Sequence, residues 1–272
     1  MSERDGFQPG VPSWVDVMGP EPDRLIDFYG AVFGWDFGEP GEMPGDPPGR
    51  YYVARLRGRD VAGVASLPDQ AGGPSWTTYI EVEDVDRTAD QIEQAGGEVL
   101  GGPFDAPPAG RIAVVADPQG APFAVWQPAG RRGAQLVNEP SAWSMSALNT
   151  PDRDAAAAFY GTVFGWTLDT FQLGDTEVGL FRLPGYVGGE PEQPVPRDLV
   201  AISMPPEGDE ARWGVDFWID DADRAVAAAE EHGGSVVSPV SDVPPFRQAV
   251  IADPNGVPFS VSQLVMNPQQ GS

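Results

Sequence analysis

The chain has 272 residues and a formal net charge of −25, since 41 acidic residues face 16 basic ones, all of them arginine. The lack of cysteine excludes disulfides, thiolate nucleophiles and cysteine-ligated metals, and the lack of lysine excludes Schiff-base chemistry and a P-loop. One histidine, His232, is too few for the two-histidine or three-histidine sites of iron and zinc enzymes. The acidic charge disfavours nucleic acid and anionic membranes as partners.

The composition predicts a folded protein of about two domains. Thirteen phenylalanines and eight tryptophans supply a core, and 34 glycines and 30 prolines favour short strands joined by tight turns. No apolar run reaches about 18 residues and the first ten residues are mostly polar, so neither a membrane span nor a signal peptide is predicted. The expected location is the cytoplasm.

A repeat organises the chain. Residues 27–35, DFYGAVFGW, recur as AFYGTVFGW at 158–166, and residues 116–123, ADPQGAPF, recur as ADPNGVPF at 252–259. Because the second pair is spaced more widely than the first, the second copy holds extra residues, which we place within 185–197. Such self-similarity predicts two copies of one domain.

Each copy divides into two similar modules. The predicted first domain covers 11–128, with modules at about 11–68 and 75–128; a polar linker covers 129–141; the second domain covers 142–264, with modules at about 142–206 and 212–264.

In chain order, each module begins with a strand and a helix and continues with strands. The first helix has apolar residues at helical spacing and ends at Gly34, and Thr150 before Pro151 predicts the start of the equivalent helix. The other predicted elements of the first copy are strands at 13–18, 51–56, 61–66, 77–82, 111–116 and 123–127 and a helix at 85–95. The fold class is therefore α+β, with four βαβββ modules.

The repeated Phe-Tyr-Gly-x-Val-Phe-Gly-Trp helix end, the Val-Glu-Asp-Val-Asp strand exit and the Asp-Pro-x-Gly turn resemble the vicinal-oxygen-chelate superfamily. This superfamily includes glyoxalase I, extradiol dioxygenases, fosfomycin-resistance proteins and bleomycin-binding proteins. The resemblance is nearest to tandem proteins of secondary-metabolite producers that are often labelled hydroxylases. It implies that each pair of modules forms a U-shaped, mostly antiparallel sheet around a cleft.

The resemblance also implies where metal-dependent members hold histidine and glutamate ligands. Position by position, these ligands correspond to Trp14, Thr77 and Ala124 in the first copy and to Met145, Gly214 and Ser260 in the second. None of these residues is a competent ligand for a divalent metal, and one carboxylate near Asp60 to Ala65 would not hold a metal alone. We therefore expect no metal and no cofactor.

Strand alternation predicts which side chains share the cleft face with those positions. In the first copy they are Trp14, Asp16, Met18, Thr77, Tyr79, Glu81, Ala124 and Trp126; in the second they are Met145, Ala147, Asn149, Gly214, Asp216, Trp218, Ser260 and Ser262. Aromatic rings and carboxylates suit a planar aromatic natural product, cationic or neutral.

Three functions remain open. The first is metal-independent binding of such a compound, for drug sequestration or self-resistance. The second is a cofactor-free hydroxylase, cyclase or epimerase in which Asp16 or Glu81 is the general base and Tyr79 the acid. The third is an accessory protein that assists a biosynthetic oxygenase. The residues favour the binder over the enzyme.

Structural roles are expected for the other conspicuous residues. Arg111 and Arg247 are the predicted partners of the inward carboxylates, and His232 suits the end of a helix. Asp117 and Asp253 are predicted to shape turns. The repeated aromatic residues of the first helix in each copy are expected to form the core: Phe28, Tyr29, Phe33, Trp35, Phe159, Tyr160, Phe164 and Trp166.

Overall fold

The computed structural model describes residues 3–43, 47–67, 73–173, 176–188, 198–206, 208 and 210–265. They form two open mixed sheets, each accompanied by two helices, which confirms the α+β class. Most of the segment predicted to hold the extra residues, 189–197, lies outside the described residues, as does the predicted module end at 68.

The first sheet has the strand order β2-β4-β5-β1-β6-β9-β8-β7, with β3 paired to β4. Two neighbouring pairs, β1 with β5 and β6 with β9, are parallel, and the other pairs are antiparallel. The elements of this half are β1 (Pro12–Gly19), α1 (Pro22–Phe33), β2 (Asp36–Phe37), β3 (Gly41–Met43), β4 (Gly49–Leu56), β5 (Arg59–Ser66), β6 (Ser75–Glu81), α2 (Val85–Gln94), β7 (Glu98–Ala106), β8 (Gly110–Ala116) and β9 (Pro122–Pro128).

The second sheet repeats this arrangement in the order β11-β12-β13-β10-β14-β17-β16-β15. Its elements are β10 (Trp143–Asn149), α3 (Arg153–Phe164), β11 (Thr167–Leu173), β12 (Thr176–Arg182), β13 (Leu199–Met204), β14 (Arg212–Trp218), α4 (Ala222–Glu231), β15 (Ser235–Val243), β16 (Phe246–Ala252) and β17 (Pro258–Leu264). The two halves therefore present equivalent strands for comparison.

The helix ends follow local chemistry. α1 ends at Gly34, whose φ of 71° is left-handed, as the sequence predicts. The predicted start of α3 was wrong: Asp152, not Thr150, is the N-cap, and its carboxylate accepts a hydrogen bond from the backbone N–H of Ala155. Aspartate competes well for this position because its oxygen reaches the free N–H groups of the first turn. His232 follows the last residue of α4, as predicted.

The core joins the two halves, because each first helix packs against the other half of the molecule. The Tyr29 hydroxyl of α1 donates to Asp253 Oδ2 at 3.0 Å, and the Tyr160 hydroxyl of α3 donates to Asp117 Oδ2 at 3.1 Å. Both aspartates also accept from backbone N–H groups of their own turns, which confirms their turn role. The repeated helix and turn motifs thus pair with each other across the molecule.

The expected core aromatics are buried, except that Phe164 is only partly buried. Aromatic contacts connect them across the halves: the Phe33 ring centroid lies 4.8 Å from that of Phe217, and Phe123 lies 5.7 Å from Tyr160. Within the described part of the chain, no helix is long and apolar enough to span a membrane.

Candidate functional site: two unequal clefts

The pairing registers place the predicted cleft residues of both sheets in equivalent rows. Trp14, Tyr79 and Ala124 correspond to Met145, Asp216 and Ser260; Asp16 and Thr77 to Ala147 and Gly214; Glu81 and Trp126 to Trp218 and Ser262; and Met18 to Asn149. Successive side chains of a strand point to opposite faces, so the named positions, which alternate along paired strands, share one face of each sheet.

Asp16 lies at the centre of the first cleft and is fully buried. Its Oδ2 accepts hydrogen bonds from the Tyr79 hydroxyl at 2.6 Å and the Tyr51 hydroxyl at 3.1 Å, whereas its buried Oδ1 has no partner among the described residues. Burial raises the pKa of Asp16 to about 6, against the lowering effect of the two tyrosines and Arg131. The structure thus brings two predicted site residues, Asp16 and Tyr79, into direct contact.

Tyr51, which the sequence pattern does not single out, covers Asp16. The Trp14 indole N–H donates to the Tyr51 hydroxyl at 2.8 Å. Gly63, paired with Asp16 in the neighbouring strand, provides the space: a Cβ there would lie 2.2 Å from the Tyr51 hydroxyl oxygen. Alternation within β4 was the available signal for Tyr51, but its contact with Asp16 depends on a glycine in another strand.

The predicted linker closes this cleft from outside. The Arg131 guanidinium lies 5.3 Å from the Trp14 ring centroid and 5.7 Å from that of Tyr51. The Trp126 indole N–H donates to the Arg131 carbonyl at 3.3 Å, and the Ala134 N–H donates to the Ser13 carbonyl at 2.8 Å. Trp14, Tyr79 and Trp126 are consequently only 4–7% exposed.

Glu81 occupies the end of the first cleft and is also buried. Its Oε2 has no hydrogen-bond partner among the described residues. Burial raises the pKa of Glu81 to about 7, and the positive charge of Arg132 opposes this rise. Met18, at the opposite end of the rows, and Thr77, which pairs with Asp16 at the centre, are partly exposed.

Among the described residues, the second cleft carries less side-chain cover than the first. Ala147 and Gly214 pair at its centre, where Asp16 and Thr77 pair in the first, and both are partly exposed. Leu180 and Ile202 continue this row on the neighbouring strands and are partly exposed as well. The centre of the second sheet therefore has little side-chain volume, with apolar side chains at its edge. Met145, Asn149 and Ser260 are also partly exposed around it.

A carboxyl group lies beside the centre of the second sheet. Asp216 is partly exposed, its Oδ2 accepts from the Ser144 hydroxyl at 2.5 Å, and its Oδ1 accepts from the Ser262 hydroxyl at 2.6 Å. Desolvation raises the pKa of Asp216 to about 7, although both serines favour its charged form. Trp218, buried at the end of the same strand, has its ring 6.4 Å from that of Phe246.

The predicted arginine partners of these carboxyl groups were wrong. Arg111 instead binds Asp86 and Asp105, and Arg247 binds Asp223 and Asp242. These are exposed pairs that connect strands to helix starts and strand edges. Tyrosine and serine hydroxyls occupy the space around Asp16 and Asp216 instead, because they can donate to a buried carboxyl without adding a second buried charge.

The side chains at the family's metal positions do not fit a divalent metal. The registers bring Trp14, Thr77 and Ala124 onto neighbouring strands of one sheet and Met145, Gly214 and Ser260 onto neighbouring strands of the other. Indole, thioether, neutral hydroxyl, methyl and hydrogen side chains supply no anionic donors there. Among the described residues, no three His, Cys, Asp or Glu side chains are grouped so that they could hold a metal ion.

The family comparisons agree with this architecture. Residues 12–125 match the Glyoxalase/Bleomycin resistance protein/Dioxygenase superfamily, and residues 145–262 match a glyoxalase-like domain. The chain therefore belongs to the glyoxalase/bleomycin resistance protein/dioxygenase superfamily, with one such domain in each half.

Two curated relatives extend along nearly the whole chain. "Putative glyoxylase CFP32" of Mycobacterium tuberculosis is 36% identical over 99% of this chain and 100% of its own length. "Anthracycline biosynthesis protein DnrV" of Streptomyces peucetius is 34% identical over 95% of this chain and 94% of its own length.

Solved structures show the same fold at low sequence identity. The Mn(II)-bound glyoxalase from Novosphingobium aromaticivorans has a TM-score of 0.62 at 16% identity and covers 95% of this chain and 83% of its own. The 2,3-dioxygenase LapB from Pseudomonas sp. KL28 has a TM-score of 0.62 at 14% identity and covers 98% and 96%.

Proposed function

We propose that the second cleft binds a planar aromatic natural product without a metal ion, in secondary metabolism. The observation that carries this proposal is the partly exposed row of small residues at Ala147 and Gly214, which lies beside a carboxyl group and next to apolar side chains. Ligand sites are commonly concave and apolar, with few polar groups that fix orientation. The anthracycline biosynthesis proteins among the relatives support this class of compound.

The charge of Asp216 makes a cationic ligand the better fit. An ammonium group would pair with the carboxylate that Ser144 and Ser262 hold in place. The net charge of −25 adds long-range attraction for a cation. A neutral aromatic ligand would gain only burial and ring contacts. Each aromatic pair contributes about 0.5–1.5 kcal/mol beyond the free energy of burying its apolar area.

The first cleft supports the alternative enzyme less well. Asp16, the proposed general base, lies beneath Tyr51, and its proposed acid Tyr79 already donates to it. Burial and the adjacent carboxylate raise the pKa of Tyr79 well above its ordinary value, which makes it a poor acid. A substrate would have to displace Tyr51 and Arg131 before it met the base.

Titration of the full chain with an anthracycline whose amino sugar is cationic tests the proposal, with the uncharged aglycone as matched probe. We expect saturable binding of the cation that strengthens from pH 6 to pH 8, because Asp216 with a pKa of about 7 ionises in this interval. Asp216→Asn should abolish the pH dependence, and a chelator should change nothing. The proposal would be contradicted if neither probe showed saturable binding, or if a chelator abolished the binding.

A further inference from the structure

Three arginines converge on a cavity of about 400 Å³ outside the first cleft. Arg4 comes from the N-terminal segment, and Arg131 and Arg132 come from the segment that closes the first cleft. None of the three has an ion pair with a described residue, although nine other arginines do. Arg131 and Arg132 act on the carboxyl groups of Asp16 and Glu81 only at longer range than an ion pair. In a chain with 41 acidic and 16 basic residues, three neighbouring arginines without an ion pair among the described residues need a physical reason.

The two acidic residues of the lining make no ion pair with these arginines among the described residues. Asp60 lies in the lining, but its carboxylate accepts from Arg55 at 2.9 Å. Asp5 is exposed and makes no ion pair with a described residue. The Nε of Arg4 is buried without a hydrogen-bond partner in the described part of the chain. A buried unsatisfied donor on a charged group is costly unless a ligand or water accepts from it.

Contacts of the main chain fix the backbone that carries the arginines. The Arg4 N–H donates to the Gln135 carbonyl at 2.9 Å, and the Arg131 N–H donates to the Ala109 carbonyl at 3.0 Å. Close contact also fixes the residue after Arg132: a Cβ at Gly133, whose φ is +88°, would lie 2.5 Å from the Ser13 carbonyl oxygen. Binding of a ligand would then have to order the arginine side chains but not the chain segments that hold them.

We propose that this cavity, defined by Arg4, Arg131 and Arg132, binds a small dianion, either a phosphate monoester or a dicarboxylate. Guanidinium groups are the usual partners of both, since their N–H donors match the spacing of two anionic oxygens. The site differs from the second cleft in position and in ligand charge, so it does not depend on the function proposed above. Arg131 lines this cavity and also contacts Trp14 and Tyr51, so a bound anion would lie next to the residues that cover Asp16.

Isothermal titration of the full chain with inorganic phosphate and with succinate tests the site, with acetate and chloride at matched ionic strength as controls. We expect saturable binding of phosphate, succinate or both. Arg132→Gln changes an exposed side chain and should weaken binding about tenfold, the usual scale for one lost charged hydrogen bond. Arg131→Gln should have a similar effect.

Arg87→Gln is the matched control, because Arg87 is an exposed arginine of α2 outside the cavity lining. It should bind as the unchanged protein does, and circular dichroism should be identical for the folded variants. The proposal is overturned if neither dianion shows saturable binding, if acetate and chloride bind equally well, or if Arg87→Gln weakens binding as much as Arg132→Gln.

Discussion

The two clefts share one backbone arrangement but differ in what fills their centres. In the first, Asp16 and Tyr79 stand where the second has Ala147 and Asp216. A carboxyl group is present in both, but on different strands. In the first cleft it lies on β1, and in the second it lies on β14, which is the equivalent of β6, the neighbour of β1. In the first cleft it is covered by a tyrosine and an arginine, and in the second it is partly exposed. A repeat can thus keep its fold while one copy becomes packed and the other remains accessible.

The largest expected effect breaks the packing of the first cleft. Gly63→Val would push the Tyr51 hydroxyl away from Asp16 and should lower the free energy of unfolding by about 3 kcal/mol, near the upper end for overpacking. Ile202 occupies the matched position of the second sheet, and Ile202→Val should cost less than about 1 kcal/mol since the side chain is partly exposed. Urea unfolding of both variants measures the difference; equal losses would show that the two centres are packed alike.

A smaller effect concerns the pH dependence of stability. The pKa of Asp216 rises from 3.8 to about 7 in the folded state, so this group stabilises the fold below about pH 4 and loses that contribution as pH rises through 7. Between pH 5 and pH 8 the unchanged protein should lose about 2 kcal/mol relative to Asp216→Asn. Urea unfolding at both pH values checks this. A difference that stays constant with pH would show that Asp216 is not desolvated.

Removing one hydrogen-bond donor from the carboxyl group of each cleft should give a still smaller difference in stability between the two clefts. Tyr79→Phe removes the shorter of the two hydrogen bonds to buried Asp16 and should cost about 1–2 kcal/mol. Ser262→Ala removes one of two serine donors to Asp216 and should cost less than about 1 kcal/mol, because Ser144 still donates to this carboxyl group. Thermal unfolding of the pair measures both. A larger loss of stability for Ser262→Ala than for Tyr79→Phe would contradict the conclusion that the first cleft is the more tightly packed of the two.

The sequence predicts the fold well because the repeat, the helical spacing and the turns are local signals. The apolar stripe of α1 and the glycine at its end needed no tertiary information. The sequence pattern does not predict the outer strands β7 and β15, because Gly101, Gly102 and Pro103 interrupt the first and Pro239 interrupts the second. Exposed and partly buried side chains alternate along both strands, but polar and apolar residue types do not.

The site was less predictable, because its accessibility depends on contacts distant in sequence. Strand alternation placed Asp16 beside Tyr79, but nothing local indicates that Tyr51 crosses Gly63 to reach the same carboxyl. The polar segment 129–141 reads as a connection, yet it covers the first cleft because Ala134 and Leu136 are buried and Arg131 contacts Trp14. Which copy carries less side-chain cover could therefore be learned only from the assembled structure.

The most direct test of the central claim is a pair of leucine substitutions at equivalent positions, Gly214→Leu in the second cleft and Thr77→Leu in the first. A Cβ at Gly214 would meet no atom closer than 3.5 Å, so the variant should fold while its side chain occupies the centre of the second cleft. Equilibrium binding of the cationic aromatic probe should be lost in Gly214→Leu and unchanged in Thr77→Leu. Binding lost in Thr77→Leu and retained in Gly214→Leu would contradict the account.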